Sequence, residues 1–267
     1  MIFSGLLGLL TLITIILYLK EPTKLINEKK VPISSLFSNK MYLATVFIYF
    51  LIGFVQFGFR LIFALICKSP ISVGGMGIEL EYQVSLIQLC AGVFLVFLPP
   101  FLTSRLSTKF GLLNSLVCLC FNLSPAFVAL GICSLFSGVL KYAGLAFVFI
   151  LANSSISVAI FYISICISNT VPRNILATAN GFSQAIVGIS RFLSTSFFGV
   201  IYGWSVSEGL DISGIDAKFS CFLLGLIPIF NGLLTHFIID PSVQNKKIEE
   251  NTLAMSLIEK KSESKHN

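Results

Sequence analysis

Charge is scarce in this sequence. Only 11% of the 267 residues are Asp, Glu, Lys or Arg, against roughly 25% in an average soluble domain. With 55% hydrophobic residues and 26 phenylalanines, the chain has too little ionised surface for a water-soluble fold and reads as an integral membrane protein. Acids are the scarcer sign, 12 against 18 bases, and none falls in the apolar runs set out below. Histidine is limited to His236 and His266. No Ser-His-carboxylate set and no Gly-x-Ser-x-Gly occur, which argues against a hydrolytic enzyme. The cysteines sit mostly in apolar runs, without His at metal-ligand spacing; they read as small core residues, and neither a metal site nor a cofactor is expected. The Gly74-Gly75-Met76-Gly77 run lacks the Lys-Ser/Thr of a phosphate loop and reads as a turn.

What is present is a succession of apolar runs long enough to cross a bilayer, which needs about 20 residues each. The expected fold class is an all-α membrane protein with seven transmembrane helices. Residues 1–19 hold the first, with an uncleaved anchor as the alternative; the run lacks a preceding basic residue and a following cleavage site, so it does not read as a signal peptide. Residues 20–40 form a lysine-rich linker, and residues 41–240 a six-helix bundle with spans at 41–66, 83–102, 111–133, 142–168, 176–203 and 219–239. Pro99-Pro100 are expected to kink or end the third span, leaving 103–110 as a short basic loop. Residues 241–267 form a charged tail.

Basic residues segregate by side. The linker carries five lysines, 103–110 two basic residues, the loop before the sixth span Arg173, and the tail five lysines; the alternate loops hold only Lys68, Lys141 and Lys218. By the positive-inside rule the linker and the C-terminus are cytoplasmic and the N-terminus is outside or lumenal. The choice of membrane stays open. This asymmetry accounts for the net charge, so no nucleic-acid partner is expected; the expected partners are the lipid bilayer and a small-molecule solute.

Polar residues recur on particular helix faces. In the sixth span Asn180, Gln184, Gly188, Arg191, Thr195 and Gly199 share a sector of about 100°, spaced three and four apart. A charge at bilayer depth costs roughly 2.5–3.5 kcal/mol, so Arg191 is expected to face a protein interior or a water-filled cavity. Tyr49, Gly53, Gln56 and Arg60 share a face of the second span; Arg60, about 9 Å from its centre at 1.5 Å per residue, either lines that cavity or snorkels to the surface. Asn153 and Ser157 in the fifth span either line it or bond between helices. The substrate-cavity candidates are therefore Tyr49, Gln56, Arg60, Asn153, Ser157, Asn180, Gln184 and Arg191.

Three stretches carry a family resemblance. Ser72-Val-Gly-Gly-Met-Gly77, the block Pro100-Phe-Leu-Thr-Ser-Arg-Leu-Ser-Thr-Lys-Phe-Gly111, and Val171-Pro172 followed by Ala177-Thr-Ala-Asn-Gly-Phe-Ser-Gln184 and Arg191 resemble the C-terminal half of a major facilitator superfamily transporter of the drug and solute antiporter type, which includes the zinc-induced-facilitator-like proteins. Relatives follow the arginine with Gly-Pro; here Phe192-Leu-Ser-Thr195 follows, and Gly199-x-x-x-Gly203 is the candidate for close packing in its place. The resemblance implies helices six to twelve of that fold, with the second and fifth spans lining the pathway and the fourth and seventh peripheral. It also implies transport of a small solute as half of an alternating-access carrier, incomplete without an N-terminal half or a second membrane chain. Alternatives are a seven-helix receptor, which shares the topology but whose sequence motifs are missing, and a non-transporting membrane subunit.

Overall fold

The computed structural model describes residues 34–207, 216–241 and 243. The first expected span (1–19), most of the linker and nearly all of the tail lie outside the described residues. Those described form no strand. They give a short helix α1 (Ser34–Ser38) and six long ones: α2 (Lys40–Lys68), α3 (Glu81–Phe110), α4 (Leu112–Ile132), α5 (Gly138–Thr170), α6 (Leu176–Ser207) and α7 (Asp216–Ile238). All six are long and apolar enough to cross a membrane, so the chain is a multi-pass membrane protein with six spans among the described residues. Asn39 starts α2 by accepting hydrogen bonds from the backbone N–H groups of Met41 and Tyr42, the geometry of a helix N-cap. Its amide donates to the Thr170 carbonyl at 2.8 Å, tying the start of α2 to the end of α5.

One boundary differs from the sequence reading in a way that matters. α3 does not stop at Pro99-Pro100 but runs through both to Phe110. The expected basic loop at 103–110 is its last two turns. Each proline removes a backbone donor, leaving the carbonyls of Leu95 and Val96 without their helical partners, a loss that membrane helices tolerate; past the prolines, side-chain bonds hold the helix. Thr103 Oγ1 donates to the Pro99 carbonyl at 2.8 Å, Ser104 Oγ donates to the Phe101 carbonyl, and Tyr162 of α5 donates to the Thr103 carbonyl at 2.8 Å. The helix ends instead at Gly111, where φ is 75°, a backbone conformation that side-chain-bearing residues rarely adopt. α2, α5, α6 and the start of α7 extend past their apolar runs by up to about one turn, because helical hydrogen bonding continues into the interfacial residues, whereas α4 matches its run to within one residue at each end.

The six helices form two layers. α3, α5, α2 and α6 touch in that order across the front. Behind them α4 and α7 pack on each other; α4 also touches α3 and α5, and α7 touches α2 and α6. The core lies between the layers. Phe59 and Phe63 of α2, Phe127 of α4 and Phe149 of α5 are buried, with ring centroids 4.7 Å apart for Phe63–Phe149 and 5.2 Å for Phe59–Phe127, a spacing at which aromatic pairs attract beyond their area burial. Outward-facing Phe, Leu, Val and Ile side chains cover most of the remaining surface, as a bundle facing lipid requires.

The turn between α2 and α3 is a cap. The N–H groups of Met76, Ile78 and Gly77 donate to the carbonyls of Ile66, Cys67 and Ser69, satisfying the end of α2. Gly74 has φ 84° and Gly77 φ 61°, and a Cβ on Gly75 would lie 2.2 Å from the Ser69 carbonyl oxygen. The Gly-Gly-Met-Gly run is thus a turn, as its sequence suggests. Gly75→Ala is expected to open this turn locally, costing about 1–2 kcal/mol. Faster proteolysis of the 69–78 segment, with melting of the bundle shifted by only a few degrees, would be the observed result; unchanged proteolysis would remove the steric argument.

Candidate functional site

The site is built on the seam between α2 and α6, which run in the same direction and stay in register along their length. From one end to the other, Tyr42 donates to the Ala179 carbonyl at 2.9 Å, Gln184 Nε2 donates to the Tyr49 hydroxyl at 2.9 Å, Ser194 Oγ donates to the Phe54 carbonyl, and Ser69 shares a hydrogen bond with Tyr202. Close approach comes from α2: a Cβ on Gly53 would meet Ser190 Oγ at 2.6 Å, and one on Gly58 would meet the Phe198 ring at 2.5 Å. The proposed Gly199/Gly203 contact does not form. Gly199 has only Leu61 nearby, at 3.9 Å, and Gly203 has nothing within 4 Å.

The buried face of α6 is Ala179, Ser183, Val187, Ser190, Ser194, Phe198, Tyr202 and Ser205, a stripe that sequence reasoning missed. Its serines look polar, yet Ser183, Ser190 and Ser205 donate to carbonyls of their own helix. Their hydroxyls are satisfied locally, and the small side chains let the helices approach. Ser183, Ser190 and Ser194, seven and four residues apart and so on one helix face, were the available signal.

The polar sector therefore turns the other way. Asn180, Gln184, Gly188, Arg191 and Thr195 are exposed, about one residue round the helix from the packing face. On α2, Tyr49 is buried, Gln56 half-buried and Arg60 exposed. Arg191 lies 4.2 Å from the centroid of the Phe57 ring, and Arg60 lies 5.8 Å from the same ring. Phe57 thus gathers two cations from two helices, a role its sequence position does not announce. Among the described residues no carboxylate pairs with either arginine; the ion pair Lys68–Glu81 joins the end of α2 to the start of α3. Asn180 and Gln56 carry no side-chain hydrogen bond among those residues.

The α5 candidates separate. Asn153 is buried and donates to the Phe149 carbonyl at 2.9 Å, so it is absorbed by its own helix. Ser157, one turn on, is exposed. Neither touches the arginine pair. Five cysteines are buried, while Cys90 and Cys118 are exposed on α3 and α4, and among the described residues no three His, Cys, Asp or Glu side chains converge as metal ligands would.

The least buried spans are α3 and α6. Only 17% and 28% of their apolar windows are buried, against 56% for α2 and α5. These two helices stand at the ends of the front layer, where among the described residues each has fewer neighbours. No protein-family model matches the chain, and no curated protein or solved structure matches it.

Proposed function

We propose that this chain forms half of an alternating-access carrier for a small solute, with the front layer as one wall of the pathway. The observation that carries the reading is the Gln184–Arg191–Thr195 sector together with Arg60, two guanidinium groups and two polar side chains exposed within the spans of a largely apolar bundle. Two guanidinium groups facing hydrocarbon cost roughly 2.5–3.5 kcal/mol each on insertion scales. A wall facing water or a complementary protein surface avoids that cost. The four-over-two arrangement supports the same reading, because the back layer consists of α4 and α7, the two helices that the resemblance to the major facilitator superfamily makes peripheral. The opposite wall would come from helices beyond those described or from another membrane chain.

Water access tests this. With Cys90 and Cys118 replaced by Ser, single thiols at Ser157→Cys and Thr195→Cys should react with membrane-impermeant thiol reagents at least tenfold faster than one at Leu226→Cys, which is exposed on the back layer. The reason is that the thiolate is the nucleophile and forms in water, not in hydrocarbon. Equal rates at all three positions would overturn the pathway assignment.

A further inference from the structure

We infer that Arg60 and Arg191 form a binding site for a small dianion, a dicarboxylate or a phosphate-like oxyanion, on the wall described above. This deepens the carrier reading and rests on it. The two guanidinium carbons lie 5.8 Å and 4.2 Å from one ring centroid. They are therefore no further apart than those lengths end to end, about 10 Å, which one ligand with two acidic oxygens can bridge.

The geometry leaves both groups ready to bind. The Phe57 ring attracts the cations through its quadrupole. A guanidinium that uses its flat face on a ring keeps its N–H edge, and that edge matches paired oxygens of carboxylate or phosphate. Among the described residues neither Arg60 nor Arg191 donates a hydrogen bond or meets a carboxylate. Tyr49 and Gln184 bond to each other, and the Thr195 hydroxyl bonds to carbonyls of its own helix. Tyr49, Gln184 and Thr195 are thus already paired, and the donors left without a partner among the described residues are the two guanidinium groups and, beside Arg60, the Gln56 amide.

Other occupants fit less well. A second copy of this chain on the same face would set arginine against arginine. A single carboxylate from another helix would neutralise one cation and leave the second beside it. A ligand with two negative oxygens answers both. The depth of Arg191, at the middle of α6, places the site away from lipid headgroups, so the anion is a solute.

The test uses the full chain in liposomes, with Thr195→Cys as reporter in the Cys90→Ser/Cys118→Ser background; Thr195 lies one turn from Arg191. An anionic methanethiosulfonate should label it at least tenfold faster than a cationic one of similar size. Succinate or inorganic phosphate should slow labelling at least fivefold and saturably, whereas sodium chloride at equal ionic strength and neutral succinamide should not. R60Q and R191Q should each abolish the protection. Saturable protection missing in the parent protein would overturn the inference without any variant being needed, as would protection that survives both substitutions. Labelling without protection leaves the wall aqueous and assigns the arginines to carboxylates of a partner helix. Failure of Thr195→Cys to outpace Leu226→Cys removes the carrier reading itself, and the dianion site with it.

Discussion

Alanine at Gly58 is expected to destabilise the bundle by about 3 kcal/mol, the upper part of the range for overpacking a close-packed contact. For a chain of this size that corresponds to a fall in melting temperature of roughly 6–12 °C. The added methyl would sit 2.5 Å from two carbons of the Phe198 ring. Phe198 is fully buried, with the Phe54 ring tilted against it at 5.6 Å between centroids, so it has little empty space into which to rotate. The strain must be relieved by moving α6 away from α2. Gly53→Ala should cost less, because its nearest neighbour is the Ser190 hydroxyl, which can turn aside. Gly203→Ala is the control: nothing lies within 4 Å, and replacing glycine in a helix gains up to about 1 kcal/mol of propensity. Melting curves in detergent that rank Gly203→Ala with Gly58→Ala would show that the seam is not closely packed. Because Phe57 precedes Gly58 in the chain, opening the seam should also loosen the stacking of Arg191.

Replacing Arg191 by Gln is expected to separate stability from function. The stack on Phe57 contributes about 0.5–2 kcal/mol, and a guanidinium that faces water on this wall carries no bilayer cost for its removal to recover. Yield of Arg191→Gln should therefore match that of the parent protein, with the melting temperature lowered by a few degrees at most. In a transport-competent preparation, with the complementary wall supplied, solute flux should fall by a factor of ten or more. A variant that misfolds would make Arg191 a packing residue. A stable variant with unchanged flux would remove it from the pathway. The chain by itself should not move solute at a saturable rate, since one wall does not enclose a site; saturable flux through it alone would require two copies to face each other, which the arginine pair disfavours.

Much of the architecture was legible before any coordinate. The scarcity of charge and the length of the apolar runs fix a multi-pass helical bundle, because hydrocarbon leaves no other way to pair every backbone group. The positions of the six spans followed from hydropathy alone. The continuation of α3 through Pro99-Pro100 did not, because the turns beyond the prolines are held partly by α5, whose Tyr162, 59 residues further on, donates to the Thr103 carbonyl. The periodicity of Asn180, Gln184, Arg191 and Thr195 correctly set these side chains on one face, and that face is the exposed one. What it did not reveal was the face used for packing, whose serines resemble functional polar residues until their bonds to their own helix carbonyls are seen.

The candidate site shows the same division. Arg60 and Arg191 each stood out singly, because a lone charge in an apolar run is conspicuous at any position. Their meeting at Phe57 was invisible, since it depends on α2 and α6 running side by side in one direction and one register, with Gly53 and Gly58 drawing the two backbones close. Asn153, equally conspicuous in the sequence, proved to bond the carbonyl of Phe149. Sequence by itself determined which residues are costly to place in a membrane. Only the folded structure decided which of them turn back onto their own helix, as Asn153 does, and which two share one ring, because Arg191 reaches Phe57 only through the packing of segments more than a hundred residues apart.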